Sequence, residues 1–155
     1  MRIYLLAVGT RMPAWVESAV GEYKKRLQGE INLQIIEVPT AKRGKTSSVS
    51  KLVEQEGKAI LAACPKGAKL VSLDVLGKSF STENLAQKLN DWRMDGSDIA
   101  LVIGGPDGLS QDVLKASVQK LSLSALTLPH PMVRVILAEQ IYRAWTITQG
   151  HPYHR

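Results

Sequence analysis

The sequence has little cysteine, few acidic residues relative to basic ones, and no long apolar run. Its one cysteine, Cys64, excludes a disulfide within the chain and fits a reducing cytosol. No apolar segment approaches the roughly 20 residues that cross a bilayer, and residues 1–8 are too short for a signal peptide. We therefore predict a cytoplasmic protein that does not span a membrane.

Familiar phosphate-binding motifs are missing as well. A P-loop requires two glycines at fixed spacing, whereas the segment Lys42-Arg-Gly-Lys45 has one. The run Gly104-Gly-Pro-Asp-Gly108 lacks the G-x-G-x-x-G spacing, and its proline removes an amide donor. Nucleoside triphosphate binding is therefore excluded, and dinucleotide binding is poorly supported.

Positive charge is in excess, because 20 lysines and arginines against 14 aspartates and glutamates set the formal net charge at +6. Such a charge suits a polyanionic partner such as RNA, although a basic protein without such a partner has the same charge. Lys42, Arg43 and Lys45 are concentrated in a loop-like segment, residues 40–50, which we name the basic loop. We predict that these three side chains contact RNA phosphates.

Apolar periodicity alternates between strand-like and helix-like segments over the whole chain. Strands are predicted at residues 3–8, 32–38, 70–74, 99–103 and within 121–128, and helices from 13 to about 27, at 49–63, 81–92 and 109–120, and from 131 to about 149. Residues 77–79 are predicted to form a turn. The alternation indicates one α/β domain, residues 1–155, with a parallel sheet covered on both faces.

The segment 98–145 carries the most functional signals. A buried strand runs into a glycine turn, residues 104–108, where glycine allows a ligand to approach the main chain. The alternating residues 123–128 would end a second strand with main-chain groups available to a planar heterocycle. Each pattern alone also fits an ordinary turn or a half-buried strand. Because loops after parallel strands bind ligands in α/β proteins, we expect a site here.

His130 stands between two prolines, which restrict the backbone and aim the imidazole ring. Pro131 suits the first turn of a helix, and Arg134 follows one helical turn after His130. Glu139 and Arg143 are four residues apart, so they can simply pair along that helix.

The last five residues, His151-Pro-Tyr-His-Arg155, are dense in rings and cationic groups. Chain termini usually fray, so the default expectation for this tail is disorder. The histidines have too few acidic or thiol neighbours in the sequence for a metal site, and we expect no metal. Stacking on a nucleobase and pairing with its phosphate is a better use of these side chains.

Several short motifs together resemble those of the RlmH family, the ribosomal RNA large-subunit methyltransferase H proteins of the SPOUT superfamily. The motifs are Gly9-Thr10, Lys42-Arg-Gly-Lys45, Ile103-Gly-Gly-Pro-Asp-Gly-Leu-Ser110, Leu121-Ser-Leu-Ser-Ala-Leu-Thr-Leu-Pro-His-Pro131, Arg134, Tyr142-Arg-Ala-Trp145 and His151-Pro-Tyr-His154. The resemblance covers essentially the whole chain, and the combination is specific although each motif alone is weak.

The resemblance implies a fold, a cofactor and a reaction. The fold would be a SPOUT-type parallel sheet flanked by helices, with a deep trefoil knot in its C-terminal part, in a homodimer. The reaction would be methylation of the N3 position of a pseudouridine in 23S ribosomal RNA on the assembled ribosome, with S-adenosylmethionine as cofactor.

The resemblance also implies site residues. The cofactor pocket would be lined by Leu73, Gly104, Gly105, Leu123, Ser124, Ala125, Leu126, Thr127 and Leu128. The nucleotide would face His130, Arg134, Tyr142, Arg143, Tyr153, His154 and Arg155, with the partner subunit completing the site.

Methyl transfer from a sulfonium needs no metal, but the target imide nitrogen must lose its proton. His130 is the candidate base, His154 of the partner subunit competes for that role, and Arg134 or Arg143 would stabilise developing negative charge. Two other functions stay open: a non-catalytic RNA- or ribosome-binding module, and a small-molecule enzyme of flavodoxin-like topology. The small-molecule enzyme would leave the basic loop and the tail unexplained.

Overall fold

The computed structural model describes residues 1–27, 29–44 and 47–155. Strands and helices alternate as predicted. They are β1 (Arg2–Val8), α1 (Ala14–Arg26), β2 (Asn32–Val38), α2 (Val49–Ala63), β3 (Lys69–Ser79), α3 (Thr82–Met94), β4 (Ile99–Ile103), α4 (Gln111–Ala116), β5 (Gln119–Ser122) and α5 (His130–Thr148), with a 3-10 turn at Pro152–His154.

The strands form one parallel sheet in the order β2-β1-β4-β3-β5. Successive side chains of a strand point to opposite faces, so the central strands feed two cores. Ile3 and Leu5 of β1 pack with α1, α3 and α5, whereas Tyr4 and Leu6 pack with α2 and α4. The predicted parallel sheet with helices on both faces is confirmed.

β3 is longer than predicted and contains a bulge. Leu73 and Lys78 both pair with Leu121 of β5, so residues 74–77 leave the regular ladder. Gly77 lies in this bulge, where a Cβ atom would come within 2.8 Å of the main chain of Leu121. The prediction of a turn at residues 77–79 was therefore wrong, because that glycine allows the close approach of two strands.

α4 is shorter than the predicted helix at 109–120. Ser110 caps its start by accepting a hydrogen bond from the amide of Val113 at 3.2 Å. The helix ends before Ser117, because the backbone of Ser117 is already extended. The Ser117 hydroxyl donates to the carbonyl of Val113 at 2.8 Å. The chain then joins β3, since the amide of Val118 donates to the carbonyl of Leu70 at 2.8 Å.

The fifth strand ends at Ser122, so the prediction that residues 123–128 form a strand end was wrong. β5 lies at the edge of the sheet, and its pairing with β3 stops at Ser122. Within the three described ranges, no helix is long and apolar enough to cross a membrane.

Candidate active site

A cavity of about 540 Å³ opens beside the carboxyl ends of β3 and β4. Three segments form its wall: the bulge of β3, the glycine turn after β4, and the segment that leads from β5 into α5. The lining residues are Leu73, Asp74, Val75, Ile103, Gly104, Gly105, Pro106, Asp107, Gly108, Leu109, Leu114, Leu123, Ser124, Leu126, Thr127, Leu128, Pro129, His130 and Val133.

The structure brings eight of the nine predicted cofactor residues to this cavity. The ninth, Ala125, is exposed and is not part of the wall. Asp74 and Asp107 also line the cavity but were not predicted. Their positions in the sequence could have indicated them. Asp74 is the last residue of a predicted strand, and Asp107 lies within the predicted glycine turn.

Other atoms of the protein pack closely around the glycine turn. A Cβ atom on Gly104 would lie 2.9 Å from the Leu109 side chain, and one on Gly105 would lie 2.7 Å from the carboxylate of Glu56. Only Gly108 has a positive φ, +84°. We expected ligand approach to require these glycines, but packing behind the turn already requires Gly104 and Gly105.

Residues 123–128 follow β5 as irregular chain held by serine side chains. The hydroxyl of Ser122 donates to the carbonyl of Ser124 at 3.2 Å. The hydroxyl of Ser124 in turn accepts a hydrogen bond from the amide of Leu126 at 3.0 Å. This segment therefore lines the cavity with backbone as well as with side chains.

His130 is the first residue of α5, between Pro129 and Pro131, and its half-buried ring forms part of the cavity wall. Burial lowers the pKa of His130, the charge of Arg134 lowers it further, and Glu56 opposes both. The Nε2 atom is buried and has no hydrogen-bond partner in the described part of the chain. The lowered pKa favours the neutral imidazole, and the described residues leave one ring nitrogen without a partner.

The structure does not place Arg134 in this cavity. Its side chain is 4% exposed, and its guanidinium donates to Glu37 at 2.7 Å and to the carbonyl of Gly9 at 2.8 Å. Arg134 instead lines a second cavity, of about 260 Å³, between α1 and β2. Within one chain, its contacts therefore join α5 to β1 and β2.

The described cations of the basic loop differ in whether they form ion pairs. Lys42 is exposed to solvent. Arg43 pairs with Asp107 at 2.7 Å and with Glu56 at 3.3 Å. Lys45 lies outside the described residues.

The tail is folded against the end of α5, so the expectation of disorder was wrong. Tyr153 packs edge-on against Tyr142 at 4.5 Å between ring centroids, and its hydroxyl donates to Glu139 at 3.3 Å. Arg143 also pairs with Glu139 and lies 5.0 Å from the centre of the Tyr153 ring. Burial raises the pKa of Tyr153 to about 12.

The other predicted nucleotide-facing residues differ in exposure at this end of the helix. Tyr142 is only 8% exposed, and Arg155 is exposed. His154 has a buried Nδ1 atom without a hydrogen-bond partner among the residues that the structure describes. The tail thus holds one ring nitrogen that the described residues do not satisfy.

His130 begins α5, whereas Tyr153 of the tail packs back onto Glu139 and Tyr142 of the same helix. These two residues lie nine and twelve positions after His130, which at 1.5 Å per residue corresponds to about 14–18 Å along the helix axis. None of the tail residues, 151–155, lines the cavity of its own chain.

A comparison with known protein families covers nearly the whole sequence. The family model described as "Predicted SPOUT methyltransferase" matches residues 1–154. This chain therefore belongs to the SPOUT methyltransferase family.

Proposed function

We propose that this chain is an S-adenosylmethionine-dependent methyltransferase of the RlmH type, which methylates the N3 position of a pseudouridine in 23S ribosomal RNA on the assembled ribosome. The carrying observation is the cavity of about 540 Å³ with the neutral ring of His130 in its wall. Family membership supports methyl transfer. A C-terminal trefoil knot and work in the cytoplasm belong to the same proposal, on the strength of the motifs.

The cavity fits the proposed cofactor in size and in charge. Ligand pockets typically measure about 300–1,000 Å³, and the carboxylates of Asp74 and Asp107 line this one. Because Asp107 is paired with Arg43, Asp74 is the acidic residue of the wall that favours a cationic ligand such as a sulfonium. When bound, S-adenosylmethionine supplies an electrophilic methyl group.

His130 is the general base of this proposal. The imide nitrogen of the target base carries a proton that must leave before a methyl group is accepted. A neutral imidazole can take that proton. The lowered pKa of His130 favours this form, and its buried Nε2 has no hydrogen-bond partner among the described residues.

The site would be completed by the tail of a second copy. The tail carries rings and cations that suit a nucleobase and its phosphate, but none of its residues lines the cavity of its own chain. In a homodimer, Tyr153, His154 and Arg155 of the partner subunit would complete the nucleotide site beside His130, together with Tyr142 and Arg143. Arg134 would act there only through its charge, because its guanidinium is already engaged.

Transfer of a tritiated methyl group tests the reaction. Ribosomes from a strain that lacks this methylation should accept label from S-adenosylmethionine, and free ribosomal RNA should accept little. Digestion should then recover the label in a methylated pseudouridine. Label in another nucleotide would refute the target while retaining the reaction.

Calorimetry with S-adenosylmethionine separates this proposal from a non-catalytic RNA-binding module. We expect saturable binding to the free protein. A chain that binds ribosomes but gives no heat with the cofactor would be a binding module.

A further inference from the structure

Arg43, which the basic loop suggests as an RNA ligand, is engaged with the wall of the cavity. Its Nη2 donates to Asp107 at 2.7 Å and its Nε donates to the same carboxylate oxygen at 3.2 Å. Its Nη1 donates to Glu56 at 3.3 Å and to the carbonyl of Ala41 at 3.0 Å. Donation from three nitrogens fixes the plane of the guanidinium, which a single surface ion pair does not do.

Glu56 is the buried anchor of this arrangement. Its side chain is 2% exposed, and Oε2 accepts both the amide of Ala41 at 2.9 Å and the guanidinium of Arg43. A buried carboxylate without a cation is costly. Arg43 therefore compensates a charge that α2 brings into the interior.

The second oxygen of Glu56 touches the glycine turn. Oε1 is buried without a hydrogen-bond partner among the residues described, and it lies 2.7 Å from the position that a Cβ atom of Gly105 would occupy. Gly105 and Asp107 both line the cavity. Glu56 therefore packs against the turn at Gly105, and Arg43 binds the turn at Asp107.

We propose that Arg43 is a positioning residue of the cavity, which fixes the glycine turn through Asp107 with Glu56 as its anchor. The cofactor consequence rests on the proposed function. The positioning role does not, because it concerns the turn in the free protein. Glu56, Arg43 and Asp107 come from three separate parts of the chain, so their contacts make the turn depend on the basic loop.

Hydrogen exchange of residues 104–109 in the free protein tests the positioning role. Arg43→Gln removes the charge and should speed amide exchange in the turn by about tenfold. Arg43→Lys keeps a cation without the planar fork and should fall between the wild type and Arg43→Gln. Lys51→Gln removes an exposed lysine of α2 and should leave exchange in the turn unchanged.

Asp107→Asn weakens the same ion pair by removing the carboxylate. It replaces Arg43→Gln as the test variant if Arg43→Gln does not fold. If Arg43 acts through Asp107, the double variant should exchange no faster than either single variant. Wild-type exchange in both single variants would overturn the proposal. Additive effects in the double variant would overturn it too, since the two residues would then act separately.

Calorimetry then measures the effect on the affinity for the cofactor. Arg43→Gln should bind S-adenosylmethionine about tenfold more weakly than the wild type, a change of the size found for contacting pairs. Wild-type protein that binds no S-adenosylmethionine would refute the proposed function and leave the exchange result to decide the positioning role. Wild-type affinity in a folded Arg43→Gln variant would overturn the consequence for the cofactor.

Discussion

Three features of the structure act on the ring of His130. Pro129 and Pro131 hold the first turn of α5, burial keeps the ring neutral, and the positive charge of Arg134 acts in the same direction as burial. Because Arg134 is tied to Glu37 and Gly9, its charge stays close to the ring without entering the cavity. The lowered pKa favours the neutral ring, which is the form that the proposed reaction needs in a base.

We expect methyl transfer to depend on pH through His130. The pKa of His130 lies below the ordinary value of 6.5, so the ring is neutral and active above about pH 6.5. The rate should fall only at lower pH, where the ring becomes protonated. Single-turnover rates between about pH 5 and 8 measure this profile.

Two histidine variants make the pH experiment specific. His130→Ala should lose most of the activity. His151→Asn removes an exposed histidine but keeps a side chain that can cap the tail's 3-10 turn as the His151 ring does, and it should keep the wild-type profile. A wild-type rate in folded His130→Ala would remove this residue from the role of base.

Gly105 marks a limit of reasoning from single residues. The sequence predicts a glycine turn at the site, and the turn lines the cavity. The reason for the glycine was not predictable, because Glu56 and Val8 lie far away in sequence and meet Gly105 only in the fold. Glu56 itself occupies the stripe of Leu52 and Ile60 on α2, where a charged residue among buried apolar ones is the signal that was missed.

We expect Gly105→Ala to destabilise the protein by about 1–3 kcal/mol, as overpacked sites do. The new Cβ would lie 2.7 Å from Glu56 and 3.2 Å from the Val8 side chain. Urea unfolding measures the change. Gly21→Ala in α1 is the control, since a Cβ there meets nothing within 4 Å and alanine favours a helix. Equal stability of the two variants would contradict the packing explanation.

At the scale of elements, prediction succeeded where the pattern is local. The bounds of β2, β4 and α2 match the sequence expectation, because each apolar pattern stops at a clear boundary. The extension of β3 and the early end of β5 were not predicted. Both depend on Leu121 pairing twice with β3, and no local pattern records which distant segment a strand will pair with.

The basic loop yields a prediction about ribosome binding. Arg43 is held by the cavity wall, so Lys42 and Lys45 are the cations of this loop that we assign to phosphate contacts. Replacing both with alanine should weaken ribosome binding at low salt, with a smaller difference at high salt. Cofactor binding should not change.

Removal of Lys58 and Lys66, two exposed lysines outside the loop, serves as the charge-matched control. Filter binding across a range of salt concentrations compares the two double variants. If both weaken ribosome binding equally, net charge accounts for the effect and the loop has no special role.

At the scale of the whole molecule, the two halves of the predicted site do not meet within one chain. No tail residue lines the cavity, and Tyr153 packs onto Glu139 and Tyr142 of α5 instead. The motifs assign the cavity and the tail to one reaction, but no pattern in the sequence shows whether they meet in the same chain. In the proposed homodimer, the tail of the partner subunit would supply the missing half.

Deletion of residues 153–155 should abolish most methyl transfer and lower the stability modestly. The loss includes the contact of Tyr153 with Tyr142 and its hydrogen bond to Glu139, and aromatic pairs contribute about 0.5–1.5 kcal/mol beyond burial. Cofactor binding should be retained, because none of the deleted residues lines the cavity. Thermal unfolding, calorimetry and methyl transfer measure the three effects.

Mixed dimers decide whether the tail works in its own chain or in its partner. A subunit without residues 153–155 keeps its cavity and His130, and a His130→Ala subunit keeps its tail. Each homodimer should be nearly inactive. Heterodimers should regain one complete site, since the cavity of the first subunit meets the tail of the second, and their activity should approach half that of the wild type. Heterodimers that form but stay inactive would mean that the tail does not act across the interface, and the roles of Tyr153, His154 and Arg155 at a shared site would then be rejected.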